Sequence, residues 1–390
     1  MNELFDTYAS REGGVFWLKT VLTPKSILDA GKRGFSGAEF EFPTCPAFSR
    51  GVAEAARNGL FGFTLPGDAY RQHVCWWMAH VRGFAIDPAW IVTTQGTIFT
   101  LATLIRMLTT PEEGIIIMPP CYNRYEQAAT RLGRPTTAVP LLKQEGRYQI
   151  DLPGLEKAMA DRKNRILALT NPNNPTGTIF PEETLKAVMD LADRYDVTVF
   201  CDEIFAEITL QGKRVPSLCE VSRSKHAVTV TGMGKVFSLT GVNHANVIIP
   251  DEAFRERFIA QRNADHYGSL DPMVHAGLLS AFTEEGAAWV RELNAYIRRN
   301  AEAVCRTLKE IWPGIDADVP EGTFVLWVDY TNTGLEKPAL EKLLDKACFL
   351  GDWGEEYYGN PLAMRYSLAL PYQEIQDTMA QLKQAAREMA

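Results

Sequence analysis

Between positions 160 and 240, three short apolar runs each stop abruptly at polar residues, and that repeated pattern leaves few folds open to the chain. Leu167 and Leu169 lead into Asn171-Pro-Asn-Asn-Pro-Thr-Gly177; Val197, Val199 and Phe200 lead into Cys201-Asp202-Glu203. Ala227, Val228 and Val230 lead into Thr231-Gly-Met-Gly-Lys235. Short unbroken apolar runs closed by turn formers mark strands buried on both faces, as in a parallel sheet. The same reading places strands at Trp90–Thr94, Ile115–Met118, Thr136–Pro140, Ile166–Thr170, Thr198–Asp202, Val228–Thr231 and Val247–Ile249. Helical stretches lie between them, for example Pro181–Tyr195, with proline at its start and acids in its first turn. The alternation predicts an α/β fold, a mainly parallel seven-stranded sheet sandwiched by helices.

A chain of 390 residues exceeds the usual size of one core. Residues 1–45, punctuated by Gly13-Gly14, Pro24, Gly31 and Gly34, read as an arm that joins the smaller of two domains. Residues 46–285 carry the alternating strands and helices. From about 286 a long helix places Trp289, Leu293, Ile297, Val304, Leu308 and Ile311 on one stripe. Strand-like segments at Thr323–Val328 and Arg365–Leu368 follow, then a closing helix with Ile375, Met379 and Leu382. Residues 286–390 therefore read as a smaller α+β domain whose stripes are core.

Apolar residues make up 46% and charged residues 23%, as in ordinary soluble proteins. A net charge of −8 disfavours nonspecific nucleic-acid binding. Seven cysteines are scattered without a CxxC pair or a His/Cys cluster, which suits a reducing compartment and argues against a metal site. No basic-then-apolar opening marks a signal peptide, and no apolar stretch is long enough to span a bilayer. The expectation is a cytoplasmic enzyme.

In an open parallel sheet the carboxyl ends of the strands line one crevice, where ligands bind. The three runs deliver an amide, a carboxylate and an amine to it. Taken singly these are weak signals. Asn-Pro strings are often only turns, an acid after a strand often caps a helix, and a lone lysine is usually a solvated charge. Together they meet the needs of a pyridine aldehyde: an amide for a ring substituent, an acid for the ring nitrogen and an amine for the aldehyde. At these residues the chain resembles the fold-type I pyridoxal 5'-phosphate (PLP) enzymes, the aspartate aminotransferase superfamily of class I/II aminotransferases. Asp202 follows Asn174 by 28 residues and Lys235 follows Asp202 by 33, separations typical of that family. The likeness runs from about Phe42 to Leu370, through matched segments in one order.

The resemblance implies a role for each residue. Lys235 would bind the cofactor as its Schiff-base lysine and move the substrate's Cα proton, with Gly232 and Gly234 allowing close backbone approach. Asp202 would keep the ring nitrogen protonated, and Asn174 would donate to the ring's phenolate oxygen and border the substrate. Gln95-Gly96-Thr97-Ile98 opens a helix and would take the phosphate on backbone N–H groups. Tyr122, in Pro119-Pro-Cys-Tyr-Asn, would stack on the ring and touch the substrate. Arg365, in Met364-Arg-Tyr-Ser-Leu, would grip the substrate's α-carboxylate with paired donors.

Ala38-Glu-Phe-Glu-Phe-Pro and Gly59-Leu-Phe-Gly-Phe-Thr64 are similar to the start of the cystathionine β-lyase-like branch, the C–S lyases. There the Gly-Phe-Thr loop reaches the neighbouring subunit's cofactor, which implies a homodimer. Three positions depart from pattern. Phe63 stands where the branch has a tyrosine, and Phe205 where the family has a tyrosine or histidine near the ring oxygen. Asn243 stands where many aminotransferases have a phosphate-binding arginine. Each phenylalanine removes a hydrogen-bond donor, typically worth roughly 0.5–1.5 kcal/mol.

The activity implied is β-elimination from cystathionine or another cysteine S-conjugate, giving pyruvate, ammonia and a thiol. Transamination of an amino acid is the alternative. A noncatalytic PLP-binding regulator is disfavoured, because residues 1–45 are too short for a helix-turn-helix module. A nicotinamide dehydrogenase is disfavoured because no GxGxxG follows an early strand. Nucleic-acid and membrane partners are not expected.

Overall fold

Alternate residues of the central strands bury on opposite faces of one sheet, which is why their sequences are apolar throughout rather than every second residue. In the strand Asn164–Thr170, Ile166 and Ala168 pack in a layer with Leu101, Leu104, Phe254 and Phe258. Leu167 and Leu169 pack on the other side with Leu155, Leu185 and Val188. Full burial of such side chains contributes about 1.5–3 kcal/mol each. The structure, a computed structural model, describes residues 2–11, 17–265 and 268–389.

The sheet comprises β1 (Ile91–Thr94), β2 (Gly114–Ile117), β3 (Thr136–Ala138), β4 (Asn164–Thr170), β5 (Thr198–Asp202), β6 (Ala227–Thr231) and β7 (Ala245–Ile248). Their spatial order is β1-β7-β6-β5-β4-β2-β3. The pairs β6–β5, β5–β4, β4–β2 and β2–β3 are parallel, and β7 alone runs opposite to its neighbours β1 and β6. Thr170 stands opposite Asp202, and Asp202 opposite Val230, so the polar ends of β4, β5 and β6 emerge at one level. The helix Glu182–Tyr195 covers one face with Leu185, Val188, Met189 and Ala192, carries Glu182 and Glu183 in its first turn, and closes on Asp196 in a left-handed conformation.

Beyond the sheet, the 28-residue helix Glu284–Ile311 buries Trp289, Leu293, Ile297, Val304 and Leu308. It packs with the helix Tyr372–Met389 and a three-stranded antiparallel sheet of β8 (Val325–Asp329), β9 (Asp352–Trp353) and β10 (Ala363–Ser367), ordered β8-β10-β9. The strand expected from Thr323 starts two residues later, because Thr323 adopts a left-handed conformation (φ 72°) that no strand continues. The strand expected to reach Pro140 ends at Ala138; the Val139 N–H still donates to the Ile117 carbonyl at 2.9 Å, and Pro140 has no N–H to carry the ladder further.

The first 45 residues, expected to be irregular, contain among the described residues three short helices, Asn2–Phe5, Leu18–Leu22 and Lys25–Asp29. The Phe5 ring lies 4.7 Å from Trp289 and Phe35 lies 4.9 Å from Phe349, which ties this segment to the C-terminal layers. The expected Gly13-Gly14 turn falls outside the described residues. Among the described residues no helix is long and apolar enough to cross a membrane, and no three His, Cys, Asp or Glu side chains gather as metal ligands.

Candidate active site

Asp202 ends β5 at the level of the crevice and is 3% exposed. Tyr125 Oη donates to its Oδ2 at 2.7 Å, and the Ile204 N–H donates to its Oδ1 at 3.2 Å. Burial pushes the carboxyl up to about 6, opposed by the Tyr125 and Ile204 hydrogen bonds and by the charge of Lys235.

Lys235 sits in the turn that follows β6, where the Phe237 and Leu239 N–H groups donate to the carbonyls of Met233 and Gly234. Its Nζ donates to the Ala38 carbonyl at 2.9 Å and lies 5.9 Å from the centre of the buried Phe205 ring. Burial draws the amine down to about 8, helped by the charge of Arg365 and opposed by Glu39 and Asp202. Asp202 and Lys235 thus feel each other's charge across the crevice.

The loop after β4 splits its asparagines between two duties. Asn171 is structural: its Oδ1 accepts from the Phe180 N–H at 2.9 Å and its Nδ2 donates to the Pro216 carbonyl at 3.2 Å. Asn174 Oδ1 accepts from Arg365 Nη1 at 3.0 Å, and because arginine can only donate, the amide's NH2 is left for another acceptor. Gly177 closes the loop with φ 71°, and a Cβ there would lie 2.4 Å from Pro320 Cβ, so both conformation and packing demand glycine.

Arg365, on β10, is 4% exposed. Its Nη2 donates to Asp352 Oδ2 at 2.6 Å, the Tyr357 ring centre is 4.6 Å from its guanidinium carbon, and its Nε is buried without a hydrogen bond. Burial raises the Tyr122 phenol, the charges of Arg124 and Arg365 lower it and that of Asp202 raises it, and its ring stands edge-on to Tyr125 at 5.6 Å between centres. At the end of β1, Gly96 adopts φ 114° and precedes the helix Thr97–Leu108, whose first N–H groups have no partner within the helix. Thr97 Oγ1 is buried without a hydrogen bond, and a Cβ on Gly96 would meet nothing within 4 Å.

Lys235, Asp202, Asn174, Arg365, Tyr122 and the Gly96–Thr97–Ile98 turn therefore gather along the carboxyl edge of the sheet, with Phe205 beneath the amine. Phe63 is fully exposed, and Asn243 is exposed as well. Sequence reasoning missed Tyr125, Thr170, Asp352 and Tyr357. None left a local signal, since Tyr125, three residues beyond Tyr122, reads as one more core aromatic.

The description "Aminotransferase class I and II" matches residues 33–380. The chain is 27% identical over 352 residues to cystathionine beta-lyase PatB of Bacillus subtilis, covering 89% of this chain and 91% of that protein. It is 24% identical over 360 residues to protein MalY of Escherichia coli, covering 90% and 91%. The crystal structure of cystalysin from Treponema denticola, which contains a pyridoxal 5'-phosphate cofactor, superimposes with a TM-score of 0.90 at 25% identity, covering 99% of both chains. With 348 of 390 residues inside the matched region, this chain belongs to the class I and II aminotransferase family.

Proposed function

We propose that the protein is a PLP-dependent C–S β-lyase that cleaves cystathionine or a related cysteine S-conjugate to pyruvate, ammonia and a thiol. The observation that carries the reading is the meeting of Lys235, Asp202, Asn174 and Arg365 in one crevice, in a chain that matches a cystathionine beta-lyase along nine-tenths of its length. The residues fit the cofactor's chemistry. Thr97 Oγ1 and the open N–H groups of the Gly96 turn suit a dianion, the buried Asp202 suits a cationic ring nitrogen, and the spare amide NH2 of Asn174 suits a phenolate. When bound, PLP supplies an aldehyde for amines and a ring that accepts the electron pair released at the substrate's Cα.

The chain's own groups do the rest. Arg365 takes the substrate's α-carboxylate through the N–H groups that Asn174 and Asp352 leave free, its buried Nε among them. Lys235 Nζ, drawn down to about 8, is neutral in a useful fraction at physiological pH and can hold the Cα proton. Asp202, ionised above about 6, keeps a proton on the ring nitrogen. Tyr122 offers its ring as a stacking face. Departure of the thiolate from Cβ then separates lyase from aminotransferase chemistry.

The reading includes a homodimer in which the Phe63 loop reaches the neighbouring site. It also includes residence in the cytoplasm, and a division into a 46–285 PLP-binding domain and a 286–390 domain joined by the 1–45 arm. Purified protein incubated with cystathionine is expected to release pyruvate with no keto acid added. Turnover that appears only with a keto-acid acceptor would establish the second reading, transamination, which the family description supports.

A further inference from the structure

Tyr125 lies on the helix Arg124–Arg131, 1% exposed, edge-on to Tyr122 at 5.6 Å and to Phe200 at 6.0 Å between ring centres. Against Tyr122 and Phe200 a plain phenyl ring would pack as well as a phenol, so packing alone would accept phenylalanine. The hydroxyl is what needs explaining. We propose that Tyr125 is a positioning residue for Asp202, its hydroxyl clamping one carboxylate oxygen so that the group stays aligned on the ring nitrogen. The inference rests on the PLP reading above.

Tyr125 Oη lies 2.7 Å from Asp202 Oδ2 and 2.7 Å from Thr170 Oγ1. A phenol has a single hydrogen, and an ionised carboxylate can only accept, so that hydrogen belongs to Asp202 and Thr170 must donate to Tyr125. Thr170 and Asp202 are paired residues of neighbouring parallel strands, which places the relay Thr170–Tyr125–Asp202 across the floor of the crevice. With the Ile204 N–H on Oδ1, each carboxylate oxygen has one protein donor and keeps a lone pair for the ring.

The other groups that face Asp202 leave a gap for this role. Lys235 favours its charged form, the neighbouring Glu203 opposes it, and Tyr122 brings a neutral phenol. Lys235 Nζ donates to the Ala38 carbonyl rather than to the acid, so the donors to Asp202 are Tyr125 Oη and one backbone N–H. Hydrogen bonds to an ion in dry surroundings are roughly twice as strong as neutral ones.

The test compares the holoenzyme with Tyr125→Phe and Thr170→Val, following the visible absorbance of the bound cofactor and kcat as functions of pH. Losing a donor to the charged form raises the acid's pKa, so more alkaline conditions are needed to ionise it. Tyr125→Phe is expected to keep its cofactor, to lose roughly 10-fold or more in kcat, and to move the acid limb of both profiles upward by about one pH unit. Thr170→Val should move it the same way by less. A Tyr125→Phe enzyme with the wild-type acid limb overturns the inference, whether or not its activity or melting temperature has dropped. Should that variant fail to fold, an unmoved limb in Thr170→Val overturns it instead. Wild-type protein that shows no cofactor band refutes the PLP reading before any variant is made, and this inference with it.

Discussion

The floor of the crevice and the loop at residues 59–65 are built in opposite ways. On the floor, Asp202, Asn174 and Arg365 are polar or charged, at most 5% exposed, and hydrogen-bonded by named partners. In the loop, Leu60, Phe61, Phe63 and Leu65 are apolar and 62–102% exposed, and a hydrogen bond from the Leu270 N–H to the Thr64 carbonyl fastens the segment. Hiding charge and exposing hydrocarbon both lower the stability of an isolated chain. Neither is explained by folding, so each points to something the single chain does not contain. The floor calls for a polar ligand, and the loop for another protein surface.

The floor's half of this contrast is broken most easily at Lys235. Lys235→Ala is expected to fold, to lose the covalently held cofactor, and to fall at least about 10³-fold in kcat, the upper part of what a positioned base supplies. A spectrum of the borohydride-treated protein, with the label mapped by mass, checks the attachment. Turnover and visible band retained together would remove the amine from the chemistry. On the loop, replacing Phe61 and Phe63 by serine takes two exposed rings out of the proposed dimer surface, each worth about 1.5–3 kcal/mol when buried. Sedimentation should show monomers at concentrations where the parent is dimeric, with activity down by roughly 10-fold or more. A parent that sediments as an active monomer would sever loop from floor altogether. Smaller still is Asp352→Ala, which frees Arg365 Nη2 and the Tyr357 hydroxyl. It is expected to raise KM by about 10-fold with kcat little changed, because the acid orients the arginine rather than the reacting atoms.

What could be read in advance divides along the same physical line. Asn174, Asp202 and Lys235 were legible because strand periodicity and turn chemistry are local, and the ends of parallel strands share one edge whatever the side-chain detail. Tyr125 was not legible. Its bond to Asp202 spans 77 residues, and a tyrosine one helical turn beyond another aromatic reads as core. Asp352 lies in a two-residue strand, too short for any periodicity to register. The reversed direction of Ala245–Ile248 left no mark either, since a strand buried on both sides has the same composition in either sense. In the arm, helices of four or five residues fall below the length at which a helical repeat can be counted.

The smallest effect tests the premise of the contrast, that the floor is held at the expense of stability. In protein stripped of cofactor, Asp202 with a pKa of about 6 binds its proton more tightly folded than unfolded. Stability should therefore fall as pH rises through the interval from about 4 to 6. Lys235, at about 8 against 10.5 when solvated, releases its proton more readily when folded, so stability should climb again from about 8 to 10.5. Between those limits both groups are charged and poorly hydrated. Lys235→Met should raise the apoprotein's melting temperature at pH 7 by a few degrees and flatten the alkaline rise, the amine's burial being worth on the order of 1–3 kcal/mol. Asp202→Asn should flatten the acid fall in the same way. Thermal unfolding of the three apoproteins from pH 4 to 10 measures both slopes. If the curves superimpose, water reaches these side chains freely, and the crevice differs from the exposed loop only in shape.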